Sequence, residues 1–324
     1  MTLPNYLNLS LNAGHSMVTI YAAKGRMGEM FTGGTAVGGE QTALVRRPSS
    51  RLAEGLVTYI DRRPVDVDLA RRQHGEYVAA LHASGWTIRE VPPADDLPDS
   101  VFVEDTVVIF DELAVVTRSG AVERRSEVDA VEPVVRDLGL TVAHIEAPGT
   151  LDGGDVLQVD STVYVGRGGR TNADGVRQLR RLLADGGHDR RVVPVPLGMV
   201  LHLKSAVTAL PDGTVLVFRG LVETALFPEV RLVEEEPGCQ VVLLGGDDVL
   251  IAASAPKTAA QLDDLGFSPV VVDISEYEKL EGCVTCLSVL IPHPPYPYEG
   301  HLHPYRSGEG ALHASRGSRK RSPH

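Results

Sequence analysis

The sequence predicts an α/β protein assembled from a strand–strand–helix–strand unit used about five times. Short apolar runs come in pairs across turn signals, most clearly at 205–210 and 215–218, which flank Pro211-Asp212-Gly213. Helix-spaced stretches follow such pairs, and a further strand run follows each helix. The chain is also large enough for a sizeable core, with 324 residues of which 43% are apolar. The units share a pattern but not a sequence. Set radially, they leave a central well where strand ends converge; set side by side, they make an open α/β sheet. The pattern leaves both arrangements standing.

Taken in order, residues 1–40 are rich in Gly, Ser, Thr and Met and are expected to be a disordered extension. Gly33-Gly34 and Gly38-Gly39 lack the Gly-Lys-Ser/Thr of a phosphate loop. A later start at Met17, Met27 or Met30 fits this reading, and no basic cluster precedes an apolar core as in a secretory signal. A strand is expected at 42–45. A helix opened by Pro64 follows, with Leu69, Tyr77 and Leu81 on one stripe and Gly85 as its stop. Strands at 88–91, 101–109 and 114–117 come next. The helix at 127–138 has Ser126 as N-cap and Gly139 as stop, with Pro133 marking a kink or a late start. Strands at 140–145, 156–159 and 163–165 lead to a helix at 172–185. Asn172 can cap it, Val176, Leu179, Leu182 and Leu183 face inward, and Gly186 ends it. A strand at 192–195, the hairpin, a short helix near 221–226 and a strand at 230–233 follow. Strands at 241–244 and 249–252, a helix at 257–265 and a strand at 269–273 complete the fifth unit. Residues 41–291 thus read as a single domain. Residues 292–324 carry five of the eleven His, six Pro and the basic residues Arg316, Arg319, Lys320 and Arg321, and are expected to be a disordered tail.

Composition narrows the function. No apolar run approaches the ~18 residues of a membrane helix. The net charge of −12 is a poor match for nucleic acid or anionic lipid but tolerates a cationic small molecule. Three cysteines, Cys239, Cys283 and Cys286, argue against a disulfide framework and for a reducing, cytoplasmic compartment.

Polar residues stand where the local pattern asks for apolar ones. Glu104 and Asp105 interrupt an otherwise apolar run, and alternation prevents both from reaching one solvated face. Asp152-Gly153-Gly154-Asp155 sets two acids around glycines that permit close backbone approach. His202 and Lys204 share one side of an apolar stretch. Cys286 closes a Gly-led turn, Glu281-Gly282-Cys283-Val284-Thr285-Cys286, before the apolar run Leu287 to Ile291. Arg124-Arg125 and Arg170 lie at loop-to-helix junctions, where carboxylate clamps form readily. Each has a plain reading too: a wet strand end, an Asp-Gly hairpin, a structural histidine, surface arginines. The Cys283-x-x-Cys286 spacing can also mark a redox pair or half a zinc site, but no second pair accompanies it. In combination, a thiol, an imidazole, several acids and junction arginines point to Cys286 as a nucleophile that the upstream acids, bases and cations serve.

The stretches Pro98–Asp105, Arg124-Arg125, Leu151–Val156, Arg170-Thr171-Asn172, Leu201–Ser205 and Thr285–Ile291 resemble, in order, the dimethylarginine dimethylaminohydrolases of the guanidine-modifying (pentein) superfamily. The resemblance implies a fivefold ββαβ propeller with a central active-site well. It implies Cys286 as nucleophile, His202 as acid/base and Asp152 as its carboxylate partner. Glu104 and Asp105 would hold a guanidinium, Arg124 and Arg170 an α-carboxylate, and Asp99 with Leu56 and Leu280 an α-amino group. It implies methylated arginine as the small-molecule substrate, no cofactor, no catalytic metal, and room for a homodimer. Arginine deiminase is the neighbouring reading, and a CxxC metal or redox protein the reading from another class. An acidic well of this kind should keep the Cys286 thiol protonated until a cationic substrate arrives.

Overall fold

The computed structural model describes residues 6–13, 16–23 and 41–292. The first two segments pair as an antiparallel hairpin, β1 (Tyr6–Ala13) and β2 (Ser16–Ala23). Both segments fall within residues 1–40, read above as an extension. Leu7, Leu9 and Leu11 alternate with Asn8, Ser10 and Asn12, a period of two that suits a strand. The rest of the extension and the tail from 293 onward lie outside the described residues.

Beyond the hairpin, five three-stranded sheets follow one plan. In each, an inner strand pairs antiparallel with a middle strand, which pairs parallel with an outer one. The first sheet contains β3 (Thr42–Val45) and, after α1 (Val67–Ala83), the outer strand β4 (Thr87–Glu90). The second is β5 (Val107–Phe110), β6 (Leu113–Val116), α2 (Val131–Asp137) and β7 (Thr141–His144). The third is β8 (Val156–Val159), β9 (Thr162–Arg167), α3 (Ala173–Asp185) and β10 (Arg191–Pro196). In the fourth, β11 (Val207–Ala209), β12 (Val215–Phe218) and β13 (Val230–Val233), the helix shrinks to a 3-10 turn at Thr224–Leu226. The fifth is β14 (Val241–Gly245), β15 (Asp248–Ala252), α4 (Pro256–Asp264) and β16 (Ser268–Val272). After α5 (Ser275–Glu278), the chain returns as β17 (Ser288–Ile291), the inner strand of the first sheet. Its register, Ser288 against Val45 through Ile291 against Thr42, joins the two ends of the fold. This is the fivefold ββαβ architecture the resemblance implies, and the open-sheet alternative falls.

The helices form where the caps allow. Asp66 caps α1 through Leu69 N at 2.9 Å, and Asn172 caps α3 through Gly175 N at 2.8 Å. Val176, Leu179 and Leu183 of α3 are buried against the third sheet. α2 starts later than the 127–138 expected, and Ser126 is not its cap: residues Val122–Ala130 are a 3-10 stretch. Pro133 is tolerated only in a first turn, so the α-helix can begin no earlier than just before it.

The consequence for function lies at the start of each inner strand. A 3-10 turn precedes every one: Val103–Thr106, Gly153–Asp155, Leu203–Ser205, Glu236–Cys239 and Thr285–Leu287. The first of these was expected as continuous strand over 101–109. A turn lets two adjacent carboxylates both point into the protein interior, which strand alternation forbids. All but the fourth carry or directly follow the polar residues singled out above.

Candidate active site

The turn after α5 presents Cys286. Glu281 adopts a left-handed φ of 60°, and Gly282 packs so tightly that a Cβ there would lie 2.5 Å from the Phe102 ring. From below, the Tyr77 hydroxyl of α1 donates to Val284 O at 2.8 Å and meets Ser288 Oγ at 2.8 Å. The thiol is thereby fixed from both sides of its turn and is only 6% exposed.

One carboxylate ties this turn to the histidine turn. Glu104 accepts from Thr285 Oγ1 at 2.9 Å with one oxygen and pairs with Lys204 Nζ at 2.6 Å with the other. Thr285 adjoins Cys286, and Lys204 is two residues from His202, so the two segments are held against each other. His202 is buried, with Nε2 3.0 Å from Asp152 Oδ2 and Nδ1 3.8 Å from Asp105 Oδ1. Gly154 explains how the ring fits: a Cβ there would lie 2.8 Å from both His202 Nδ1 and Asp105 Oδ1. Asp155, the second acid of its motif, serves the frame. It accepts from Leu203 N at 2.9 Å and from Thr171 Oγ1 at 2.5 Å, and burial pushes it up to about 7.

Charge follows from this packing. Burial pulls His202 down, but Asp105, the hydrogen bond to Asp152 and Asp155 outweigh it and raise it to about 9. Burial would likewise raise Asp105, yet His202 and Arg124 hold it well below the usual carboxylate range. The Cys286 thiol is pushed well above its ordinary value by the hydrogen bond with Cys283, by burial and by Glu104 and Asp105. A neutral Cys286 thiol and a protonated His202 are the resting state this field favours.

Asp99, Leu56 and Leu280 lie close together. Both Asp99 oxygens accept from Leu56 N at 3.1 Å, and a Cβ on Gly55 would meet Asp99 Oδ1 at 2.7 Å and Leu280 Cδ1 at 3.4 Å. Burial raises Asp99 despite the nearby Arg124. Sequence reasoning missed Glu281, whose carboxylate accepts from Thr58 N and Tyr59 N at 2.5 and 2.9 Å. That residue pins the 56–60 loop to the cysteine turn.

Arg124 lies inside the protein. Its guanidinium is 5% exposed and bonds to Asp105 Oδ2 at 2.6 Å, to Glu127 at 2.8 and 3.0 Å, and to Phe102 O at 3.2 Å. Most of its donors are thus engaged by buried groups of the protein itself. Its neighbour Arg125 commits only Nε, to Ser119 O at 3.1 Å. Arg170 has Nη1 buried without a hydrogen-bond partner, 3.6 Å from Asp152 Oδ2. Both flank the same segment, since Gly120 packs on the Arg170 backbone and donates to Asp152 Oδ1 at 3.1 Å. Replacing Arg124 by leucine should strand Glu127 and Asp105 as buried charges and cost about 3–5 kcal/mol of stability. Urea denaturation checks this; a loss of affinity with no loss of stability would contradict it.

Asp105, Asp152 and His202 lie close enough to hold a metal ion. Two of them already face a cation, Arg124 on Asp105 and Arg170 beside Asp152, which reduces the call for another charge. A cavity of about 280 Å³ opens beside the Glu104–Lys204 pair, lined mainly by apolar residues of β5, β8, β14 and β17. Neither Cys286 nor His202 lines it, so it lies on the strand side of that pair.

Comparisons with known proteins agree with this picture. The model of a family described as arginine deiminase matches residues 63–253. The N(G),N(G)-dimethylarginine dimethylaminohydrolase of Streptomyces coelicolor is 61% identical over 248 residues, covering 76% of this chain and 95% of that protein. A crystal structure of a dimethylarginine dimethylaminohydrolase adduct with S-methyl-L-thiocitrulline superposes with a TM-score of 0.73 at 32% identity, covering 78% of this chain and 100% of that one. The Pseudomonas aeruginosa enzyme, a cysteine-to-serine mutant complexed with citrulline, gives 0.72 at 33%, covering 78% and 99%.

Proposed function

Because the chain belongs to the dimethylarginine dimethylaminohydrolase family, we propose that it hydrolyses Nω,Nω-dimethyl-L-arginine, and the monomethyl form, to L-citrulline and the corresponding amine. The observation that carries this is the Glu104 bridge, which brings a thiol turn and an imidazolium turn to one acidic hollow.

A guanidinium is a delocalised cation and a poor electrophile. Glu104 and Asp105 each keep lone pairs beyond their internal bonds, and together they fix its plane and turn its central carbon toward sulfur. Substrate charge offsets the field that keeps Cys286 protonated, so the thiol releases its proton to solvent and the thiolate forms as the substrate binds. Sulfur adds to the carbon. His202, protonated, gives its proton to the departing dimethylamine, which is a very poor leaving group as an anion. The neutral imidazole then takes a proton from water, which attacks the covalent thiouronium and releases citrulline. Asp152 holds the ring throughout.

The amino-acid end is met by Asp99 with Leu56 and Leu280 at the ammonium, and by Arg170 with Arg125, in place of Arg124, at the carboxylate. A charged hydrogen bond contributes about 1.5–3 kcal/mol, so Arg125→Ala and Arg170→Ala should each raise KM roughly ten- to a hundredfold. Steady-state kinetics with unchanged melting temperature checks this; an unaltered KM in Arg125→Ala would return the role to another residue.

The match to the arginine deiminase family model favours a second reading, with arginine itself as substrate. Citrulline release from arginine beside release from asymmetric dimethylarginine decides between them. Faster turnover of arginine would displace the first reading. We take residues 41–291 as the catalytic domain and place it, on its three free thiols, in a reducing compartment such as the cytoplasm. Among the described residues, no helix is long and apolar enough to cross a membrane. The homodimer allowed by the resemblance is checked by light scattering.

A further inference from the structure

Cys283 has no part in the reaction set out above, yet its sulfur lies 3.3 Å from that of Cys286. The two residues are the ends of one turn. Cys286 N donates to Cys283 O at 3.1 Å, and Cys283 N points at Cys286 Sγ at 3.4 Å. Turns of this kind bring their end Cα atoms within about 7 Å, and a disulfide accepts separations of about 4.4–6.8 Å. Thr285 Oγ1, 3.2 Å from Cys283 Sγ, helps hold that sulfur toward its neighbour. The remaining cysteine is out of play: Cys239 precedes β14 and is bonded to Ser205 O and Glu236 O. At 2% and 6% exposure the pair suits a small oxidant better than a bulky disulfide.

We propose that Cys283 is a resolving cysteine, which closes a reversible disulfide with Cys286 when a small hydroperoxide reaches the site. The thiolate of one sulfur attacks the peroxide oxygen. The O–O bond breaks, a sulfenic acid forms, and the other oxygen leaves as water or alcohol after taking a proton. The second thiol then attacks the sulfenic sulfur and expels its hydroxyl as water, leaving the S–S bond. Two thiols lose two electrons in all, and the peroxide gains them. The bond occupies the sulfur that attacks substrate, so turnover stops. It also shields that sulfur from sulfinic and sulfonic acids, which dithiothreitol does not reduce. The loss of turnover rests on the proposed role of Cys286; the disulfide does not.

The test treats the reduced full chain with hydrogen peroxide, wild type beside Cys283→Ser and Cys283→Ala, and follows mass, peptide linkage and activity relative to each protein's own starting rate. Wild type should lose two hydrogens, give a peptide linked between Cys283 and Cys286, lose nearly all activity, and regain it in dithiothreitol. The variants should gain oxygens on Cys286 and stay inactive after dithiothreitol. The proposal is overturned if wild type gains oxygens as the variants do, or if the variants recover equally. It is also overturned if no linked peptide forms. A reduced wild type that never releases citrulline would instead sink the proposed function, with the linkage still readable.

Discussion

Replacing Cys286 by serine is expected to abolish citrulline production, lowering kcat by about 10³-fold or more, while leaving the fold and substrate binding intact. A serine hydroxyl is a far weaker nucleophile than a thiolate, and this site offers it no dedicated base. His202, at about 9, is protonated at neutral pH and so cannot accept the hydroxyl proton. The turn itself should persist, because its anchors are Tyr77 on Val284 and Ser288 and the tight seat of Gly282 on Phe102. Calorimetry should show the variant still binding dimethylarginine, since the carboxylates and arginines remain. If the serine protein keeps more than a few per cent of wild-type turnover, sulfur is not the attacking atom.

The second large effect is on His202. Changing it to asparagine should lower kcat by about 10²–10⁴, the usual span for loss of a general acid–base group. The pH profile makes the test specific. His202 is raised from 6.5 to about 9, so its charged form persists through neutrality and disappears as pH rises through about 9. Protonation of the leaving amine should therefore fail on the alkaline side, giving wild type a falling limb near pH 9 that the variant lacks. The sign for stability is the same. The pairing with Asp152 and Asp105 stabilises the fold in full below 6.5, the unperturbed value, and is lost as pH climbs through about 9. A wild-type profile that rises without limit past that point, with the imidazole shown to have titrated, would contradict the acid role.

Much of the frame was legible in the chain because strand and helix periods are local. Asn172, Gly186 and the pattern of Val176, Leu179 and Leu183 place α3 almost to the residue. The well's lining was legible for a related reason: carboxylates and a histidine inside apolar runs must find partners or be exposed. How they find them was not. Glu104 and Asp105 read as strand because Val101, Val103 and Val107 surround them, and partners from other segments, Gly154 N–H and Arg124 for Asp105, Thr285 and Lys204 for Glu104, make a buried turn affordable there. The choice between Arg124 and Arg125 was equally closed to local reading. Glu127, three residues on, and Asp105, from the turn before β5, draw the first arginine inward and leave the second freer. Cys283 was set aside for want of a second CxxC, yet its importance comes from a 3.3 Å contact rather than from a zinc motif. Leu7, Leu9 and Leu11 carry a strand period amid the polar composition around them.

The decisive measurement is intact-protein mass spectrometry on samples quenched during turnover of asymmetric dimethylarginine, followed by peptide mapping. If sulfur displaces the amine, wild type should carry the substrate's mass less one dimethylamine, localised to Cys286, and Cys286→Ser should carry nothing. Quenched wild type that releases citrulline in a burst-free progress curve with no adduct on Cys286, even in the slowed His202→Asn variant, would show that water attacks the guanidinium directly.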